Sequence, residues 1–237
     1  MFLDVDGTLL EFAPTPEGVV VPTALTDLLL ALERRLKGAL AFVSGRRISD
    51  LDRLFAPVRL PAAGVHGGEI RLAPAGETET RAVAEDLPAA IFAEIEQEAL
   101  AFAGVFTEWK RFSLAIHYRN SLHLKAALHA AIEVAVARHR AAGLQIVDGH
   151  LVLEVKTPGF HKGTGIAALM ATPPFRGRAP VFIGDDVTDE DGFAFVSQVG
   201  GRAYSVSQPR GCATYVFPDP RAVRDWLASL VAEESAA

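Results

Sequence analysis

The sequence predicts an α/β protein: a core built on a parallel sheet, with an α+β portion inserted into it. Three observations carry that expectation. Short apolar runs alternate with helical patterns near the amino terminus, and the alternation returns in the last third of the chain. The middle changes to a doubled order of helix, strand, strand. Polar clusters sit where the apolar runs of the alternating parts end. The expected division is 1–72 with 157–237 as core and 73–156 as the insert.

Each element follows from local pattern. The opening apolar run reaches Asp4 after only Met1, Phe2 and Leu3. That is short for a central strand, so either upstream residues are missing or the start codon was assigned late. EFAPTPEGVVVP, with three prolines, reads as an irregular flap. PTALTDLLLALERRLKG has helical spacing, with Thr23 as N-cap and Gly38 as stop. ALAFVSGR is a buried-strand pattern ending in Ser-Gly, a short helix runs from Ile48 to Phe55, and LPAAGVHGGEI holds a strand. A polar hairpin-like segment then opens the insert. Helical runs span Pro88 to Phe102 and Leu122 to Ala142, and the alternating stretches AGVFTEWKRFSLAIHYR and GLQIVDGHLVLEVK supply paired strands. Together these predict an antiparallel sheet with helices on one face. HKGTGIAALM, APVFIGDD, the helix from Asp189, RAYSV and a final helix ending DWLASLV restore the parallel pattern.

Composition narrows the function classes. Half of the 237 residues are apolar and 22% are charged, as in an ordinary soluble globular protein. A net charge of −6 argues against nucleic acid as the main partner. Cys212 is the only cysteine, which excludes an intrachain disulfide framework and fits a reducing compartment. No signal peptide is visible and no apolar run approaches the roughly 18 residues of a membrane span. The expectation is a cytoplasmic protein with no membrane partner, and nothing demands more than a monomer.

Four clusters carry chemistry: Asp4-x-Asp6-Gly-Thr8, Ser44-Gly45-Arg46, Lys162, and Asp185-Asp186. In open α/β sheets, sites form outside the carboxyl ends of the strands. Asp4, Ser44 and Asp185 each follow an apolar run, so all three should meet on one rim. Asp4 and Asp6 would share a face if the strand continued, and carboxylates that close are costly unless a cation or shifted pKa values relieve them. Asp4, Asp6 and Asp185 supply the oxygen ligands that Mg²⁺ prefers. Lys162, Ser44 and backbone N–H groups suit phosphate oxygens. An EF-hand fails on spacing, because loops centred on Gly7 or Gly192 would begin at Phe2 or Val187.

The order Asp-x-Asp-x-Thr, Ser, Lys, acidic pair resembles the haloacid dehalogenase superfamily. More narrowly, FLDVDGTL, VSGR, AGVHGGEIR, EWKRFSLAIHYR, LEVKTPGFHKGTGI and GDDVTDEDGFA resemble the trehalose-6-phosphate phosphatase family over essentially the whole chain. The first motif is superfamily-wide; GDDVTDEDGF with HYR and the Glu-x-Lys segments is far more specific. The resemblance implies a Rossmann-like core with a cap, and a Mg²⁺-dependent phosphatase acting on trehalose 6-phosphate. It makes Asp4 the nucleophile and Asp6 the acid and then base. Asp4, Asp185 and the backbone carbonyl of Asp6 would hold Mg²⁺, with Asp186 and Asp189 behind them or reaching it through water. Ser44 and Lys162 would bind phosphoryl oxygens, with Thr8, Gly45 and Arg46 beside them on the substrate side. In the cap, Glu108, Lys110 and Glu154 match positions that contact the glucose units; Lys156 has no such match.

Other polar residues stay open at this level. His66 lies near a strand end, where it reaches substrate or makes a structural hydrogen bond. His117 and Arg119 follow an alternating strand and could line the cleft or not, and Arg119 is taken as a substrate-binding residue. His123, His129 and His139 decorate a helix surface, and Cys212 is structural. A sucrose-phosphate phosphatase would share the core and differ only in the cap, where EWK and HYR favour trehalose 6-phosphate. A signalling receiver domain, which also takes phosphate on Asp beside an acidic pair and a Lys, fails because its acidic pair precedes the accepting Asp.

Overall fold

The computed structural model describes residues 1–12, 18–80, 89–110, 113–149, 151–157 and 159–232. The elements, in chain order, are β1 (Phe2–Leu3), α1 (Thr23–Arg35), β2 (Ala41–Val43), α2 (Ile48–Leu54), β3 (Ala62–Gly64), β4 (Glu69–Arg71) and β5 (Glu79–Thr80). Next come α3 (Ala89–Leu100), β6 (Phe106–Lys110), β7 (Ser113–His117), α4 (Lys125–Arg138), β8 (Gln145–Gly149) and β9 (Val152–Lys156). The chain continues through α5 (Lys162–Met170), β10 (Val181–Gly184), α6 (Glu190–Gln198), β11 (Arg202–Val206), β12 (Tyr215–Phe217) and α7 (Pro220–Ala232). It divides into two compact units, 1–81 with 161–237 and 82–160.

The first unit is an eight-stranded sheet in the order β12-β11-β10-β1-β2-β3-β4-β5. Its strands are parallel from β12 to β3 and antiparallel at β4 and β5. Period-two alternation builds both faces. Leu3, Phe42 and Ile183 join α1, α2 and α7 in one apolar cluster, through Leu25, Leu29, Leu51, Val223 and Leu227. Phe2, Ala41, Val43 and Phe182 join Ile166 and Leu169 of α5 and Phe193 and Val196 of α6 in a second. Burying a Leu, Ile or Phe in this way contributes about 1.5–3 kcal/mol each. A doubly covered parallel sheet leaves its polar chemistry only at the strand ends.

The second unit is a four-stranded antiparallel sheet, β6-β7-β9-β8, with α3 and α4 on one face. Leu114, Ile116, Leu153 and Val155 point to those helices and pack with Phe92, Ile95, Leu128 and Ile132. The alternate residues face the other way.

Several local expectations are refined or corrected. Pro22, not Thr23, occupies the N-cap of α1, and no side chain caps that end; Gly38, at φ +81°, stops the helix as expected. LPAAGVHGGEI holds the expected strand as β3, and a second, β4, begins within it. Val65 and His66 adopt φ of 48° and 54°, and the chain reverses so that β4 returns antiparallel on β3. The hairpin-like segment read as the start of the insert hydrogen-bonds instead to the first unit, β5 on β4. The helix read over Leu122 to Ala142 is α4 flanked by 3-10 turns at Leu122–Leu124 and Arg140–Ala142. Cys212, read as structural, is exposed.

Candidate active site

The strand order places the ends of β10, β1 and β2 side by side, and the polar residues follow. Asp4 continues β1, its N–H donating to the Ile183 carbonyl at 3.0 Å, and its side chain is buried. Lys162, the first residue of α5, is buried as well. Its Nζ lies 2.8 Å from Asp4 Oδ1 and 2.7 Å from Asp189 Oδ1. His161 caps that helix by accepting from the Thr164 N–H. Thr8 Oγ1 lies 3.2 Å from Asp185 Oδ1 and 3.4 Å from Asp4 Oδ2. Gly7, at φ +77°, carries the loop past Asp185 so closely that a Cβ there would overlap the carboxylate.

Asp189 organises the acidic loop after β10. One oxygen takes Lys162; the other accepts the N–H groups of Asp185 (3.0 Å) and Asp186 (2.9 Å). Gly184 has no room for a Cβ, which would run into the Asp189 carboxylate. Arg210 holds the same loop from outside, donating from Nε to the Asp185 carbonyl at 2.6 Å. No signal in SQPRGC marked that arginine; only the fold brings it here.

Burial dominates the electrostatics. It pushes the Asp4 carboxyl up to about 7, against the pull of Lys162 and with the help of Asp189 and Asp6. Burial likewise pushes Asp185 up to about 9, reinforced by Asp4 and Asp189. Burial alone would lower the Lys162 ammonium, but Asp189 and Asp4 outweigh it and hold its pKa above the ordinary lysine value. Ligand oxygens of Asp4, Asp185 and Asp189 come within 4.8 Å of one another. When all three are ionised, one ammonium leaves two negative charges uncompensated in a largely buried cluster. A divalent cation with oxygen ligands fits that deficit. Asp189 is the most committed of the three, with Oδ1 on Lys162 and Oδ2 on two backbone N–H groups, so Asp4 and Asp185 could hold it with less rearrangement.

The remaining sequence-derived residues separate into those brought to this rim and those not. Ser44 is buried at the end of β2, its Oγ accepting the Arg46 N–H at 3.1 Å. The Asp6 carboxylate is not in the metal cluster: Arg46 grips it in a fork, Nε to Oδ2 and Nη2 to Oδ1, both 2.7 Å. Asp186, expected among the metal-site acids, also stands outside that cluster. Its Oδ1 accepts the Val187 N–H at 2.7 Å, with Arg210 Nη2 3.8 Å away. Adjacent residues leaving a strand point to opposite sides, so only one of the pair can face Asp4. His66 is presented by the left-handed turn after β3 and lies against Gly45, where a Cβ would come within 2.7 Å of its Nε2.

The second unit holds the residues expected to read the sugar. Glu108 and Glu154 share the sheet face opposite the helices, on β6 and β9, both in register with Ala115 of β7. Lys110 ends β6, and its side chain lies outside the described residues. His117 is on the same face as Glu108, whereas Arg119 lies just beyond the end of β7 and is half-buried. His129 and His139 make surface pairs with Glu133, Asp148 and Glu94.

A probable trehalose-phosphate phosphatase from Sinorhizobium fredii is 37% identical over 232 residues, covering 97% of this chain and 86% of the relative. The trehalose-6-phosphate phosphatase of Escherichia coli is 37% identical over 226 residues, covering 95% and 84%. Among solved structures, the C-terminal domain of the C. albicans trehalose-6-phosphate phosphatase shares the fold. Its TM-score is 0.86 at 20% identity, covering 98% of this chain and 91% of that one. No helix among the described residues is long and apolar enough to cross a membrane. With the trehalose-phosphatase model matching residues 2–213, the chain belongs to the trehalose-phosphatase family.

Proposed function

We propose that the chain is a Mg²⁺-dependent phosphatase that hydrolyses trehalose 6-phosphate to trehalose and phosphate through an aspartyl-phosphate on Asp4. The observation that carries this is the buried Asp4 carboxylate, held at 2.8 Å by Lys162 and facing Asp185 at the end of the parallel strands. A nucleophile needs a fixed carboxylate, and a phosphoryl group needs positive charge beside it. Asp4 and Asp185 would hold the cation, which when bound neutralises charge on the phosphoryl group.

The chain's own residues account for the rest. An Asp4 oxygen forms a bond to phosphorus as the bond from phosphorus to the sugar oxygen breaks. Asp6, bearing a proton, gives it to that leaving oxygen. Asp6 then takes a proton from water as the water attacks phosphorus and frees Asp4 and phosphate. Arg46 donates to both Asp6 oxygens, so the acid role requires that fork to open. Ser44 and Lys162 receive phosphoryl oxygens, and Thr8 and His66 border the same site. The second unit acts as the cap, with Glu108, Lys110, Arg119 and Glu154 reading sugar hydroxyls. A surface that hydrogen-bonds hydroxyls rejects analogues lacking them by ~10⁴-fold or more.

The test is phosphate release from trehalose 6-phosphate, sucrose 6-phosphate, glucose 6-phosphate and an aryl phosphate, with and without chelator. Strong preference for the first, lost on chelation and restored by Mg²⁺, is the expected result. Equal turnover of all four would remove the substrate assignment, and full activity under chelation would remove the metal.

A further inference from the structure

One strand of the second unit carries more polar structure than sugar contact alone requires. This inference rests on the reading above that Glu108 and Glu154 accept sugar hydroxyls. Leu114 and Ile116 of β7 face the helices, so Ser113, Ala115 and His117 share the opposite face with both acids. Ala115 stands directly opposite Glu108 on one side and Glu154 on the other. Its two neighbours on that face each reach diagonally to one acid. Ser113 Oγ donates to Glu154 Oε1 at 2.6 Å, and both residues are buried. His117 Nε2 lies 3.3 Å from Glu108 Oε2. Because an ionised carboxylate only accepts, the proton in that contact belongs to Nε2. The other ring nitrogen, buried without a partner among the described residues, fits the bare nitrogen of that tautomer. Phe106 stacks on the imidazole at 4.6 Å with planes 10° apart, which holds the ring in the plane the contact needs.

We propose that β7 is an orienting strand: Ser113 and His117 are positioning residues that set where the two recognition carboxylates stand, without touching the sugar themselves. The diagonals run in opposite senses. His117 draws Glu108 toward the Phe106 end of β6, and Ser113 draws Glu154 toward the Lys156 end of β9. The acids already lie two strand spacings apart, about 9–10 Å between backbones. Steering them in opposite directions separates like charges further. Two acceptors so spaced suit hydroxyls far apart on an extended saccharide rather than one vicinal pair.

The experiment measures kcat/KM on trehalose 6-phosphate and on an aryl phosphate for Ser113→Ala, Ser113→Cys, His117→Asn and His117→Gln. The serine substitutions are repeated in a Glu154→Ala background. Loss of a hydrogen bond to a charged group should cost about tenfold or more on the sugar phosphate. Aryl phosphate turnover should stay within about twofold, which also reports that each variant is folded. Cysteine fills the serine volume with a poor donor, so it should lose as much as alanine. Gln, with an N–H able to reach where Nε2 does, should recover activity that Asn does not. In the Glu154→Ala background, removing the Ser113 hydroxyl should add no further loss. Equal losses on both substrates, a fully active Ser113→Cys, or additive losses with Glu154→Ala would overturn the proposal. A wild-type enzyme that turns over the sugar phosphate no better than the aryl ester would instead defeat the functional reading, and that result is visible before any variant is made.

Discussion

The proposed mechanism makes Asp4 the nucleophile beside Lys162, so its removal should be nearly complete in effect. Asp4→Asn is expected to lower turnover by at least ~10⁴-fold while leaving the thermal midpoint close to that of the parent. Phosphate release and thermal unfolding check the two halves of that statement. The pH dependence follows from the same burial. Asp4 and Asp185 titrate near 7 and 9 in the fold, above the usual aspartate range. Raised carboxyl pKa values favour the fold while the groups are protonated, so this stabilisation is complete below about pH 4 and is lost as pH rises through 7 to 9. A bound cation requires the deprotonated forms and relieves their repulsion. The midpoint of the metal-free protein should therefore fall over that window, and the shift produced by Mg²⁺ should grow across it. A Mg²⁺ shift independent of pH would contradict the assignment of Asp4 and Asp185. The residue types of this site were readable in order along the chain, but their partners were not. Which of Asp185 and Asp186 faces Asp4, and that Asp6 is gripped by Arg46, depends on backbone direction at strand ends that spacing alone leaves open.

At the level of elements, the end of β10 is where packing and chemistry meet. Asp189 is fully buried and joins Lys162 to the backbone of the acidic loop. Asp189→Ala leaves an ammonium buried with one partner fewer and two N–H groups unpaired, so a loss of about 3–5 kcal/mol is expected in denaturant unfolding. Gly184→Ala should displace the same carboxylate from the other side and reduce turnover along with stability, by about 1–3 kcal/mol for the overpacking. Most elements were legible because period-two and helical spacing agree with burial. The exception is instructive. LPAAGVHGGEI holds the expected strand, but nothing in it announces that Val65, a β-branched residue, and His66 take left-handed backbone and fold β4 back on β3. Intrinsic preference argues against that conformation, and only the tertiary setting maintains it.

For the whole molecule, catalysis is assigned to the doubly covered sheet and recognition to the inserted four-stranded one. The insertion itself was readable, since a doubled helix, strand, strand order interrupts a parallel pattern. The exact seam was not, because the short β5 pairs with the first unit and nothing in its two residues says so. The division of labour makes a separable prediction. Glu108→Ala should lower kcat/KM for trehalose 6-phosphate by about tenfold or more and that for an aryl phosphate far less. Equal losses would mean that the second unit does not read the sugar.

The most direct measurement is a rapid-quench single turnover with trehalose 6-phosphate carrying a radiolabelled phosphoryl group, followed by peptide mapping. A label that appears transiently on the amino-terminal peptide containing Asp4, and never in Asp4→Asn, is the expected result. Turnover at the full rate with no labelled peptide, or with the label on another residue, would contradict Asp4 as the nucleophile.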